Sequence, residues 1–331
     1  MTEPTLDIVA IGNAIVDVIS REEDEFIVRH ALTRGGMQLI DAETAEALYA
    51  AMGTGLEISG GSAANTLAGM AALGSKCGFI GQVCDDQLGA VFTHDIRTLG
   101  IRFETAALTD GPPTARCLIM VTPDAQRTMN TFLGAAQFLP AAALDLDMIR
   151  SARILYLEGY LWDPEQPRAA MRTAIEAARG AGRKVAFTLS DAFVIERYRA
   201  DFLKLIDNGD IDILFANENE ICSLTMKNDF ESAVRAVAGK VPVLVVTRSE
   251  QGAICITDGE RHECSAAPVD KVLDTTGAGD LFAAGFMTGH VRGKDPRQCL
   301  EMGAIAAAEV ISHYGARPEA DLRALMGRLL D

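Results

Sequence analysis

The chain has 331 residues, 49% of them hydrophobic and 23% charged, which is enough chain for one large α/β domain with an accessory piece or for two ordinary domains. Its 46 acidic residues outnumber 30 basic ones, giving a formal net charge of −16, and no long Lys/Arg run occurs; nucleic acids and anionic membrane surfaces are therefore disfavoured as partners. An anionic substrate would need a positive potential made locally, by backbone N–H groups, a metal ion or a few arginines.

In chain order, a strand is expected at Asp7–Ile11, a partly non-helical stretch over Asp17–Leu39 with Gly35 and Gly36 before the run Met37–Ile40, and helices at Ala42–Ala51 and Ala63–Leu73. A strand at Cys77–Gly81 and a helix at Gln87–Leu99 follow. Arg116–Val121 and Arg127–Phe132 read as two strands around the turn Thr122-Pro123-Asp124-Ala125-Gln126. Beyond them, strands Ile154–Leu157, Lys184–Leu189 and Ile211–Phe215 alternate with helices Glu165–Arg179, Ile195–Leu205 and Glu231–Ala238. Strands Val243–Thr247 and Ala253–Thr257 precede helices Leu281–Val291 and Arg297–Ser312.

Such alternation implies an α/β fold in three layers, a mainly parallel sheet covered by helices on both faces. The two exceptions, about residues 17–40 and 101–134, read as segments of a small β-lid inserted in a single domain spanning 1–331. The cysteines (Cys77, Cys84, Cys117, Cys222, Cys255, Cys264 and Cys299) have no CxxC spacing, and the five histidines are isolated. Reduced thiols in a cytoplasmic protein without zinc are expected. Met1 to Asp7 is short and acidic, unlike a signal peptide, and the charge-free stretch Ile58–Ser75 is too glycine-rich for a membrane span.

Four motifs carry chemistry. In Asp274-Thr275-Thr276-Gly277-Ala278-Gly279-Asp280, the small residues expose backbone N–H groups where a helix begins, which makes an anion site, and Asp280 stands at its edge. A cradle for a moving phosphoryl beside a proton acceptor suits phosphoryl transfer to a hydroxyl. The plain alternative is a glycine turn before a packed helix. A dinucleotide GxGxxG fails, because Phe282 stands where the third glycine belongs. The motif is expected at a late strand-to-helix junction, where open α/β sheets bind ligands.

In Ser59-Gly60-Gly61-Ser62-Ala63-Ala64-Asn65-Thr66, Gly61 takes the place of a P-loop lysine, so the P-loop reading fails too. A hinge or a close backbone approach to ligand remains. Asn65, one turn into the helix, offers an amide to a hydroxyl-rich substrate, or sits on a solvated face. In Ile11-Gly12-Asn13-Ala14-Ile15-Val16-Asp17, Asp17 can accept from vicinal hydroxyls; turn-forming and solvated roles weigh about equally. Asn217-Glu218-Asn219-Glu220 offers oxygens at a strand end, suited to Mg²⁺ through water, or simply an acidic helix start.

Together these pieces resemble the PfkB (ribokinase-like) family of small-molecule kinases. Gly60–Asn65 matches its N-terminal signature, Asp274–Asp280 its DTxGAGD signature without departure, and Asn217–Glu220 its NxxE motif. Within the family the chain is most similar to the adenosine kinase branch, in Gly12-Asn13 with Asp17, Gly60-Gly61-Ser62, Thr188–Phe193, Asp212–Glu218, and Cys299–Gly315 through Arg317-Pro318. Ala63-Ala64 depart from the bulkier pair of eukaryotic adenosine kinases, which leaves base specificity open.

The resemblance implies a ribokinase-like fold and ATP- and Mg²⁺-dependent phosphorylation of a nucleoside 5′-hydroxyl. It makes Asp280 the base, Gly277, Ala278 and Gly279 the anion hole, and Asp17, Gly61 and Asn65 the ribose contacts, with Asn13, Gly60 and Ser62 beside them. Gln38, Phe193 and Tyr160 would line the base pocket. Arg127 would reach the transferring phosphate, and Thr247 and Gly252 would border ATP. Asn217 and Glu220 would hold Mg²⁺ through water, and Asp274 with the Thr276 carbonyl would hold a monovalent cation, K⁺. Alternatives are a ribose or fructose kinase, a guanosine or inosine kinase, and a non-catalytic nucleoside or sugar sensor on the same fold. A monomer or a lid-mediated homodimer is expected.

Overall fold

A computed structural model describes residues 3–124 and 126–330. Ala125, in the expected turn between the two lid strands, lies outside the described residues, as do Met1 and Thr2 of the acidic N-terminal stretch.

Nine strands of the described residues form one sheet, in the order Glu260–Cys264, Ala253–Thr257, Val243–Thr247, Ile213–Asn217, Lys184–Thr188, Ala152–Glu158, Leu6–Ile11, Cys77–Ile80 and Arg102–Phe103. Pairing is parallel from Arg102–Phe103 to Val243–Thr247 and antiparallel in the hairpin at the other edge. The central strands are apolar throughout because helices cover both faces. In Ala152–Glu158, Ile154 and Tyr156 enter one core layer while Leu155 and Leu157 enter the other. Each such aliphatic side chain contributes about 1.5–3 kcal/mol when buried.

Helix starts follow the sequence chemistry. Asp41, Asp86 and Asp229 each accept a backbone N–H from the first turn of the helix that follows, and Asp295 with Gln298 forms a reciprocal capping box ahead of Pro296. The observed helices Ala42–Ala51, Ser62–Ala72, Gln87–Thr98, Glu165–Gly180 and Pro296–Val310 agree with the expected ones to within two residues at each end.

A second sheet of five strands runs Met37–Leu39, Arg127–Phe132, Ala115–Val121, Ile15–Arg21 and Leu56–Gly60. Leu56–Gly60 joins it at one edge, outside the two expected lid segments, while Arg102–Phe103 belongs to the large sheet. The Asp274–Asp280 motif does not follow a strand directly. Residues 265–277 lack helix and strand, because the antiparallel hairpin leaves the chain at the sheet edge and a long connection must bring it back to helix Ala278–Val291.

Candidate active site

One cavity of about 930 Å³ lies over the carboxyl ends of the parallel strands, between the two sheets. Single small-molecule sites usually take about 300–1,000 Å³, so this one is large. Asn13, Asp17, Gly61, Ser62 and Asn65 line one part, and Tyr160 and Phe193 line the wall beside it. Asn217, Glu220, Thr247 and Gly252 line the far part, and Thr276 to Asp280 run between.

Gly277, the cap of helix Ala278–Val291, has φ +79°, and a Cβ there would stand 2.7 Å from that of Ala316. The Ala278 N–H is already donated to the Thr275 carbonyl at 3.2 Å. Among the described residues, the N–H groups of Gly277, Gly279 and Asp280 meet no protein acceptor and are the donors left free at the helix start, while Ala278 also lines the cavity.

Asp280 accepts from Ser62 Oγ at 2.6 Å and from Asn65 Nδ2 at 3.1 Å. Burial raises its carboxyl pKa, against those two hydrogen bonds and the Arg317 charge. Asn65 Oδ1 is buried without a partner, an acceptor that points to a donor yet to arrive. Asp17 takes no hydrogen bond from another described residue, and burial pushes it up to about 6 despite Arg317 and Arg127. Gly60 makes room for it, since a Cβ there would fall 2.5 Å from Asp17 Oδ2. Gly61, with φ +96°, passes so close to Asn13 that a Cβ would lie 2.2 Å from its carbonyl oxygen.

Four expected site residues do not line the cavity. Gly60 lies just beneath Asp17, as described. Gln38 is turned to the other face of its strand and bonds Asn130 Oδ1 at 2.7 Å, while Met37 and Leu39, its alternating neighbours, line the cavity instead. Arg127 does not present its guanidinium to the cavity; it is buried in an ion pair with Asp274. Asp274 also accepts from Thr276 Oγ1 at 2.7 Å and from the N–H groups of Thr276 and Gly315, both at 3.0 Å. Both its oxygens are thus engaged, and it serves as an anchor for Arg127 and the loop; nothing in this arrangement marks it as a K⁺ ligand.

Asn217 and Glu220 form a reciprocal capping box, and burial raises Glu220 to about 7. The structural and ligand roles are compatible, because each carboxylate oxygen bonded once keeps a lone pair. Their oxygens at the cavity wall fit a hydrated hard cation. Among the described residues no group of three or more His, Cys, Asp or Glu side chains is placed to hold a metal, and no helix is long and apolar enough to cross a membrane.

Two charged groups escaped the sequence reading. Glu158 is fully buried and accepts the Asn13 and Ala63 N–H groups, each at 2.8 Å, as well as the Asn13 amide; burial raises it to about 7. Its signal was a glutamate closing an apolar strand. Arg317 bonds the Ser59 and Ala64 carbonyls from a loop distant in sequence; the Arg317-Pro318 pair belonged to the resemblance, but no local pattern gave the arginine a place in the site.

Free backbone N–H groups at a helix start, a carboxylate beside them and a second polar pocket thus share one cavity. The chain belongs to the PfkB family: the sequence model of the pfkB family carbohydrate kinases matches residues 6–322. The adenosine kinase from Sinorhizobium meliloti is 44% identical, with a TM-score of 0.88 over 96% of this chain and 98% of that one. A probable sugar kinase protein from Rhizobium etli CFN 42 is 45% identical, with a TM-score of 0.89 and 97% of each chain covered. The adenosine kinase of Saccharomyces cerevisiae is 24% identical over 333 residues, 94% of this chain and 96% of its own length. The protein is a phosphotransferase acting on a hydroxyl of a small-molecule nucleoside or sugar, with ATP as the donor its family implies.

Proposed function

We infer that the chain transfers the γ-phosphoryl of ATP to the 5′-hydroxyl of a purine nucleoside, adenosine before guanosine, inosine, ribose or fructose. The observation that carries this reading is the apolar wall of the acceptor part. Tyr160 and Phe193, with ring centroids 6.4 Å apart, stand with Met37 and Leu39 beside the hydroxyl-binding residues. Such a wall suits a flat heterocycle and leaves a free sugar with unmatched apolar surface. The likeness to two adenosine kinases supports it.

In this reading the ribose hydroxyls bond Asp17 and the orphaned Asn65 Oδ1, and the Gly61 backbone closes over them. The 5′-oxygen forms a bond to the γ-phosphorus as the bond to the β,γ-bridging oxygen breaks, and the hydroxyl proton passes to Asp280. The free N–H groups of Gly277, Gly279 and Asp280 bond the equatorial oxygens. Because the transition state is loose, positioning and charge stabilisation matter more than base strength. Thr247 and Gly252 border the donor nucleoside. Asn217 and Glu220 would hold Mg²⁺ through water, where it would neutralise phosphate charge. Arg127 acts behind the loop, by holding Asp274.

The test is an acceptor panel with ATP and Mg²⁺. Saturable turnover of adenosine at micromolar concentrations, with little turnover of free sugars, is expected. A higher kcat/KM for ribose or fructose overturns the nucleoside assignment, and no transfer to any acceptor favours a sensor.

A further inference from the structure

The Gly60-Gly61 turn links the edge strand of the small sheet to helix Ser62–Ala72, whose first turn holds Asp280. One side chain spans that turn. Arg317 donates from Nε and Nη2 to the Ser59 carbonyl, at 3.0 and 2.7 Å, and from Nη2 to Ser59 Oγ at 2.9 Å. From Nη1 it donates to the Ala64 carbonyl at 2.8 Å. Ser59 lies before the turn and Ala64 after it, so a single planar fork fixes both arms. The loop bearing Arg317 is itself tied to the phosphate cradle, through Gly315 N–H on Asp274 and Ala316 against Gly277.

The charge has no direct carboxylate partner within ion-pair distance among the described residues. The nearest relay is Asp95, which accepts from Ser59 Oγ at 2.6 Å and Ser59 N–H at 2.8 Å. The acids that feel the guanidinium are Asp95 from helix Gln87–Thr98, Asp17 from strand Ile15–Arg21, and Asp280. Asp280 is faced also by Ser62, Asn65, Asp17, by Tyr156 and Glu158 of strand Ala152–Glu158, and by Tyr160 just beyond it; Asp17 is faced also by Asp280, Arg127 and Cys117.

We propose that Arg317 is a positioning residue for phosphoryl transfer: it staples the Gly60-Gly61 turn and supplies a fixed positive charge that favours the carboxylate forms of Asp280 and Asp17. Desolvation of the guanidinium lowers its own pKa only to about 10, so the charge persists throughout the working range. The role rests on Asp280 being the base of the proposed reaction. Neither the glycine turn nor the glycine-rich heptad contains the residue, which reaches both from the far end of the chain.

The experiment is the pH profile of kcat/KM for adenosine, with ATP and Mg²⁺, in wild type, Arg317→Gln, Arg317→Lys and Asp95→Asn, with thermal unfolding of each. Arg317→Gln removes the charge; the acid limb moves up by about one unit, so that kcat/KM well below the limb falls about tenfold relative to the plateau. Arg317→Lys keeps the charge and loses the fork; its limb stays near wild type while the acceptor KM rises. Asp95→Asn, whose side chain does not line the cavity, removes the acid that competes for the Arg317 charge and moves the limb down. A Gln variant that loses only thermal stability or plateau activity, with the limb in place, overturns the electrostatic role, and so does a Lys limb displaced as far as that of Gln. If Arg317→Gln does not fold, an unmoved limb in Asp95→Asn overturns it. A wild-type profile with no acid limb sinks the assignment of Asp280 as base, and this role with it; a limb indifferent to Arg317 leaves that assignment standing.

Discussion

Arg127 and Asp274 form a buried ion pair that joins the small sheet to the loop preceding helix Ala278–Val291. Asp274→Asn keeps one oxygen to accept from Thr276 but puts an amide N–H₂ where an oxygen accepts from Gly315 N–H and pairs with Arg127, so the Arg127 charge loses its partner and the Gly315 N–H its acceptor. Breaking one side of such a pair costs about 3–5 kcal/mol, whereas replacing both sides with neutral groups costs less. Urea unfolding is therefore expected to show a large loss for Asp274→Asn and a smaller one for the double variant with Arg127→Met. Strictly additive losses would show that the two side chains do not stabilise each other.

Asp280→Asn is expected to reduce kcat by roughly 10²–10⁴-fold, the usual range for loss of a general base. The amide still accepts from Ser62, so nucleoside affinity measured by equilibrium titration should stay within a few-fold of wild type. Turnover near wild type would remove Asp280 from the reaction.

Gly279 and Gly61 separate cradle from scaffold. A Cβ at Gly279 meets nothing within 4 Å, while one at Gly61 would collide with the Asn13 carbonyl and must adopt φ +96°. Gly279→Ala is expected to keep the melting temperature of the wild type and raise the KM for ATP, because the new methyl enters the space of the phosphoryl. Gly61→Ala should lower the melting temperature and the acceptor affinity together. Calorimetry with steady-state kinetics distinguishes them; equal melting losses would contradict the assignment of Gly279 to the open face.

Glu158 makes stability depend on pH. Its carboxyl is raised from 4.5 to about 7, chiefly by burial. The neutral form is the one favoured in the folded protein, so this contribution is complete below about pH 4.5 and is lost as pH rises through 7, by at most about 3 kcal/mol. Glu158→Gln cannot ionise. The variant should gain on wild type between pH 5 and pH 8 in chemical denaturation, even if a poorer fit to Asn13 and Ala63 lowers both ends. A pH-independent difference would mean that Glu158 does not titrate in that window.

The regular elements were legible because their signals are local. Helix Ala42–Ala51 carries its cap, Asp41, next to it, and strand Arg127–Phe132 comes directly after the Pro123-Asp124 turn signal. Leu56–Gly60 was not legible: its five residues are set among glycines, its end at Gly60 was read with Gly61 as a hinge or a close approach to ligand, and only pairing with Ile15–Arg21 makes it a strand. Arg102–Phe103 is too short for any period. The site divides in the same way. Asp280 and its glycines are contiguous, so the cradle could be seen in the chain. Arg317 meets Ser59 across 258 positions and Glu158 meets Ala63 across 95, separations over which sequence carries no pattern. Gln38 and Arg127 were placed by resemblance; the pleat turned one away, and the other was drawn into the Asp274 pair.

Ser62 is an alcohol, and in the resting site its oxygen lies 2.6 Å from the carboxylate that would deprotonate the acceptor. On the proposed function, Ser62 would thus be a placeholder for the incoming 5′-hydroxyl. A nucleoside exchanges one alcohol for another at Asp280, so the count of hydrogen bonds there changes little and affinity must come from the ring wall and the ribose contacts. A stray water faces the same exchange without either reward. If Asp280 is the base, this exchange would work against hydrolysis, and Ser62→Ala is expected to show it as a higher ratio of ATP hydrolysis to nucleoside phosphorylation.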